Sequence, residues 1–221
     1  MTSTPLPAVE PAPMYSKAKR FTLLIRMAWY APMLIGRAVM RDHERLDRDI
    51  ERWRSIVAPP FGPRRTLLVL LASYPEFRTL YCYRLRRSGI IGAAFGAVFG
   101  VVYPGERTLH LACGDIGGGL FVQHGFATIV AARKVGVDAW INQQVTIGFD
   151  RPGARPSLGD HVSVHAGAKV LGDLTVGDGA RIGANAVVVH DVPAGHTAVG
   201  VPARLLPPKN TRSAEAPSTS D

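Results

Sequence analysis

Between Leu158 and Val192 the chain carries an aliphatic residue every six positions, at Leu158, Val164, Val170, Val176, Ile182 and Val188. A second small or aliphatic residue follows each of these four places later, at Val162, Ala168, Leu174, Ala180, Ala186 and Val192. Two apolar positions in six match neither the helical period nor strand alternation, and a fixed short period marks a solenoid. Short strands joined by tight turns satisfy it. Turn residues stand between the apolar positions, in Gly159-Asp160, Gly172-Asp173, Gly177-Asp178-Gly179 and Gly183-Ala184-Asn185. Gly and Asn adopt positive φ there at little cost. One such unit cannot bury its apolar face alone, so the stack itself must be the domain.

The beat continues upstream with defects. Ile129, Val135, Ile141 and Ile147 keep the step of six, as do Ile116 and Val122, but Val122 to Ile129 is seven and Ile147 to Leu158 is eleven. The larger break, 149–157, is a polar loop with two Pro and with Arg151 and Arg155. Loops projecting from rigid scaffolds commonly carry binding groups.

The stretch Ile116–Arg204 resembles the hexapeptide-repeat acyltransferases, whose fold is a left-handed parallel β-helix with three strands per coil, an exception to the usual crossover hand. Within that superfamily, GFATIV at 125–130, QVTIG at 144–148, HAGAKV at 165–170 and VGVPAR at 199–204 are similar to the serine acetyltransferases. They resemble still more their relatives in exopolysaccharide and capsule gene clusters. The resemblance implies a mainly β protein, with a left-handed β-helix over 106–205 preceded by an α-helical region over 16–105. It also implies direct acetyl transfer from acetyl-CoA to an acceptor hydroxyl, without a covalent enzyme intermediate. The family's acetyl-CoA lies between neighbouring subunits of a trimer, so a homotrimer, or a dimer of trimers through the N-terminal helices, is expected.

Charge separates the two regions. Residues 1–90 carry 16 Lys and Arg against 7 Asp and Glu, whereas 91–221 carry 10 of each. No nucleic-acid motif accompanies the basic half, which argues against nucleic acid as a partner. An anionic membrane surface or a phosphorylated substrate suits it better. Residues 1–15 and 206–221 read as disordered tails. From Lys17 to Met40 an apolar pattern carries Lys19, Arg26 and Arg37, spaced to fall within roughly 40° on a helical wheel. Pro32 should kink or split that helix. Such a helix either lies in a membrane interface or packs on its neighbours, and both readings stand. Residues 41–54 read as a solvated helix, and 66–87 as one or two helices. Ser88–Gly105 holds no charge over eighteen residues, with Gly92, Gly96 and Gly100 on one helical face. It reads as a buried helix or hairpin, with membrane insertion as the other possibility. No export signal is recognised, so a cytoplasmic enzyme is expected, with peripheral contact at the inner face of the membrane if the basic helices dock.

The two cysteines, Cys82 and Cys113, form no disulfide framework and have no metal-ligand spacing, so no metal is expected. Chemistry points instead to His124, two residues after inward Val122, which should project outward at a coil corner. The resembling families have their catalytic His at this position, as general base toward the acceptor hydroxyl. Imidazole exchanges a proton near neutral pH, which suits that role. Stacked after His124 come Gln143, Ala166 and Ala184, each also two residues after an inward aliphatic. Small side chains beside Gly167 and Gly183 either leave a groove for a pantetheine arm or simply pack a turn. By resemblance, Lys169 and Arg204 are candidates for the CoA phosphates or adenine end.

Departures from the serine enzymes bear on the acceptor. Their Asp before the catalytic His is Gln123 here, their Asp fifteen residues earlier is Leu109, and their loop His aligns with Arg155. Asp115 or Glu106 would have to replace the missing carboxylates. Neutral Gln123, Asn142, Gln143 and Gln144, with cationic Arg151 and Arg155, favour a sugar hydroxyl in exopolysaccharide or capsule assembly. Serine is the second reading of the acceptor, and a non-catalytic β-helix scaffold is the reading of another class.

Overall fold

The computed structural model describes residues 17–59 and 63–208. The two tails read as disordered lie outside these residues, apart from 206–208.

Proline sets the boundaries of the helical region. Helix α1 (Lys17–Tyr30) gives way to a 3-10 turn over Ala31–Leu34, and a new helix, α2, runs Ile35–Val39. Pro32 has no N–H to continue the ladder, so the expected single helix splits. Helix α3 (His43–Val57) opens on Asp42, whose side chain accepts the Arg45 N–H, and closes on Ala58 at φ 41°. Tyr74 is extended ahead of Pro75 and separates α4 (Thr66–Ser73) from α5 (Pro75–Arg86). Helix α6 (Gly89–Val102) follows.

The remainder is a three-sheet parallel β-helix. One sheet stacks β1 (Leu109–Leu111), β4 (Thr128–Val130), β7 (Thr146–Gly148), β10 (Lys169–Leu171) and β13 (Val187–Val188). A second stacks β2 (Asp115–Ile116), β5 (Lys134–Val135), β8 (Ser157–Leu158) and β11 (Thr175–Val176). The third holds β3 (Phe121–Gln123), β6 (Trp140–Asn142), β9 (Ser163–Val164), β12 (Arg181–Ile182), β14 (Thr197–Val199) and β15 (Arg204–Leu206). Every pairing is parallel except β15 on β14. Val122, Ile141, Val164, Ile182 and Ala198 are partners across the third sheet and form a buried column, as the six-residue beat requires. The coils lie so close that a Cβ at Gly136 would stand 2.4 Å from the Gly159 carbonyl oxygen.

Four sequence expectations need correction, the first being that α3 is not a solvated helix, since it buries Leu46, Asp49 and Trp53. Ile129 is 41 % exposed, and its neighbour Val130 is the buried residue, paired with Ile147. Gln123 pairs with Asn142 and Ile129 with Thr146, so the first corner spends six residues where the next spends four, and the two extra turn Ile129 outward. Helix α6 is not a buried helix: Gly92, Gly96 and Phe99 face the protein, whereas Ile90 is 90 % and Val101 is 83 % exposed. Among the described residues no helix is long and apolar enough to cross a membrane. The basic face also dissolves, because Arg37 stands on α2, beyond the 3-10 turn, and pairs with Asp47 at 2.7 Å.

Helices and coils share one buried seam. Trp53 donates from Nε1 to the Leu120 carbonyl at 2.9 Å, and its ring lies 4.6 Å from that of Phe121. Beside it Arg84 donates to Asp49 and to the Ile116 and Gly117 carbonyls, while Asp49 also accepts the Gly119 and Leu120 N–H groups. Burial pushes the Asp49 carboxyl up, and Arg84 opposes that. A carboxylate ringed only by donors is held as the anion.

Candidate active site

His124 occupies the widened corner between β3 and β4. It is exposed at φ 52°, and Ala127 leaves the corner at φ 51°. Three side chains hold this turn. Thr108 Oγ1 accepts the Ala127 N–H at 2.8 Å and is itself oriented by Glu106, which accepts both the Thr108 hydroxyl and its N–H. Glu76, on the first turn of α5, accepts the Gly125 N–H at 3.3 Å. A Cβ at Gly125 would stand 3.1 Å from Glu76 Cγ and 3.1 Å from Leu109 Cδ2, so carboxylate and leucine share one wall beside the residue after His124.

The carboxylate that reaches the residue after His124 is one the sequence did not single out. Asp115 is committed to Arg45 at 2.5 Å and Glu106 to Thr108, and neither is bonded to His124. Glu76 sits in the helical region, 48 positions before His124, and no spacing rule connects them. The visible signal is weaker: an acid right after Pro75 occupies a helix start, where negative charge is favoured.

The corners below continue the column. Gln144, Gly167 and Asn185 adopt φ of 58°, 74° and 57°, the Gly167 N–H donates to the Gln143 carbonyl, and the Asn185 N–H donates to that of Ala166. His124, Gln143, Ala166 and Ala184 therefore lie on one edge of the prism, with Gly183 beside it. Asn142 donates from Nδ2 to Gln123 Oε1 at 3.1 Å, and Asn142 Oδ1 and Gln143 Oε1 are buried without a hydrogen-bond partner among the described residues. Lys169 Nζ donates to the Gln144 carbonyl at 2.5 Å, beside the same edge. Arg204 is exposed in β15, at the far end of the third sheet.

Arg151 and Arg155 belong to a different edge. The 149–156 loop leaves the corner between β7 and β8, with Arg155 5.6 Å above the Phe149 ring and donating to the Ala112 carbonyl at 3.2 Å. Within one chain they do not join His124. Neither cysteine is poised as a nucleophile: both are buried, burial pushes both thiols up, and Cys113 Sγ is 3.0 Å from the Asp115 carbonyl. Among the described residues no three His, Cys, Asp or Glu side chains converge on a point that could hold a metal.

Six-residue repeats wound three to a coil, a histidine at the widened corner and a small-residue edge below it define a hexapeptide-repeat transferase, and residues 155–190 match the family model described as bacterial transferase hexapeptide, six repeats. Over 152 residues the chain is 39 % identical to the serine acetyltransferase of Helicobacter pylori, spanning 62 % of this chain and 84 % of that protein. The crystal structure of serine acetyltransferase from Brucella abortus shares the fold, with a TM-score of 0.59 at 22 % identity over 84 % of this chain and 81 % of that one. Soybean serine acetyltransferase complexed with serine aligns at 28 % identity and a TM-score of 0.51, over 72 % and 67 % of the two chains. The chain belongs to the serine acetyltransferase family and is an acetyltransferase. These relatives lend no support to the narrower likeness to exopolysaccharide and capsule enzymes.

Proposed function

We propose that the protein is a serine O-acetyltransferase using acetyl-CoA as acyl donor. The observation that carries this reading is the Glu76 carboxylate beside the Gly125 N–H. Free serine presents an ammonium next to its hydroxyl, and an unmatched charge in a pocket costs several kcal/mol. Neutral Gln123 and Leu109 offer that ammonium no counter-charge. Glu76 supplies an anion in the wall that Leu109 lines.

In this reading His124 removes the proton from the serine hydroxyl, whose oxygen attacks the thioester carbonyl. The tetrahedral adduct collapses with loss of the CoA thiolate, which takes the proton back from the imidazolium. The pantetheine arm runs along the Gln143, Ala166 and Ala184 edge. Lys169 and Arg204 meet the nucleotide end. Arg151 and Arg155 reach the acceptor from a neighbouring copy, since their loop and His124 occupy different edges of the prism, and this requires a closed ring such as a trimer. Light scattering that gave an active monomer at micromolar concentration would defeat the shared site.

A sugar hydroxyl is the second reading, favoured by the neutral amides of Gln123, Asn142 and Gln143. The test is kcat/KM for L-serine against nucleotide sugars, lipid-linked oligosaccharides and polysaccharide fragments, followed through thiol release from acetyl-CoA. Preference for serine supports the first reading; preference for a glycan replaces it. No thiol release above background with any acceptor would leave the β-helix as a scaffold.

A further inference from the structure

Helix α6 turns a fully apolar stripe to the outside. Ile90, Ile91, Ala94, Val98, Val101 and Val102 recur at helical spacing and are exposed, while the opposite face brings Gly92 and Gly96 onto α5. Helix α1 does the same: Leu23 and Met27 face inward, and Phe21, Leu24, Ile25 and Trp29 face outward, Trp29 being 64 % exposed. A helix apolar on both faces is the pattern of one with a neighbour on both sides. The C-terminal ends of α1 and α6 meet. Trp29 packs edge-on against Tyr103 with ring centroids 6.1 Å apart. On the other side a cavity of about 620 Å³ lies between α2 and α6, lined by Ala38, Val39, Arg41, Ser88, Ile90 and Ile91. Exposed apolar faces on neighbouring helices mark an interaction site.

Charge decides what covers it. Residues 17–40 and 88–105 contain no Asp or Glu. At roughly 100° per residue, Arg20 and Arg26 fall on opposite flanks of the outward stripe of α1, and Arg41 stands at the rim of the cavity. A second copy would set these arginines against one another with no carboxylate on either stripe, whereas anionic headgroups would pair with them. At fourteen residues α6 is about 21 Å long, short of the roughly 30 Å hydrocarbon core, so it can lie in the interface but not span. We propose that α1, α2 and α6 form a docking face for an anionic phospholipid bilayer, with the apolar stripes at the headgroup boundary and the arginines on lipid phosphates. This is independent of the acceptor's identity.

The experiment uses the full chain with vesicles of phosphatidylcholine alone or mixed with phosphatidylglycerol. Sedimentation with the mixed vesicles and a blue shift of Trp29 emission are expected, Trp53 being already buried and Trp140 packed on Phe121 in the coils. Added salt, or the double change Arg20→Gln and Arg26→Gln, should weaken binding about tenfold or more. Ile25→Glu with Val98→Glu should abolish binding while acetyl transfer continues, because both side chains are exposed and stand on α1 and α6 rather than on the coils. Failure to bind mixed vesicles, or equal binding to both compositions, overturns the proposal. So does light scattering in which the Ile25→Glu, Val98→Glu protein has a lower mass than the parent, since a second copy would then be the occupant.

Discussion

Glu76 Oε1 lies 3.3 Å from the Gly125 nitrogen, and the residue before Gly125 is His124. Glu76→Gln keeps an oxygen for that N–H and removes only the charge. If the carboxylate receives the acceptor's ammonium, KM for L-serine should rise at least about tenfold, the scale of one lost charge-assisted contact, with KM for acetyl-CoA unchanged. A variant with parental serine kinetics would reduce Glu76 to a clamp on the turn.

His124→Asn tests the base without disturbing its backbone, because Asn tolerates the positive φ found there. The side chain is exposed, so the variant should melt within a few degrees of the parent. Its kcat should fall about 10²–10⁴-fold. Parental turnover would remove His124 from the mechanism.

Asp49→Ala should be among the most damaging single changes. It leaves the Arg84 guanidinium buried without its carboxylate and frees the Gly119 and Leu120 N–H groups. Breaking one side of a buried pair costs about 3–5 kcal/mol. Urea titration with Trp53 emission as reporter should show a lower midpoint, since its indole is hydrogen-bonded in the same seam. A midpoint matching the parent would mean that the seam relaxes around the loss.

Alkali should open the helical region. Burial pushes the Cys82 thiol from 9.0 up to about 11 and raises Tyr81 and Tyr83 beside it. These groups ionise more readily unfolded than folded, so stability is full below pH 9 and falls as pH rises toward 11. At pH 8 an alkylating reagent should leave Cys82 unmodified until denaturant is added. Rapid labelling of the native protein would contradict this burial.

The solenoid was legible because its period is a packing constraint: Val164, Val170, Val176, Ile182 and Val188 have one place to go in every coil. The corner at His124 was only half legible. The seven-residue step signalled an irregularity, but the residue displaced was Ile129, and only pairing with Thr146 reveals that two residues, not one, are in excess. The amphipathic reading of α1 through α2 failed at Pro32, where a helical wheel has no meaning. Glu76 was invisible for another reason. Its proximity to Gly125 is produced by α5 docking on the first coil, a tertiary event that no local pattern encodes.

The antiparallel strand β15 has a consequence for how this chain can associate. An open stack of coils presents unpaired peptide groups at each end and invites copies to add head to tail, building a filament. At one end the helices cover the first coil through Trp53, Arg84 and Asp49. At the other, β15 doubles back on β14, and the Ala203 N–H donates to the Val187 carbonyl in the adjoining sheet. With both ends stoppered, head-to-tail addition of coils is blocked, and the sides of the prism are the faces left open to a neighbour.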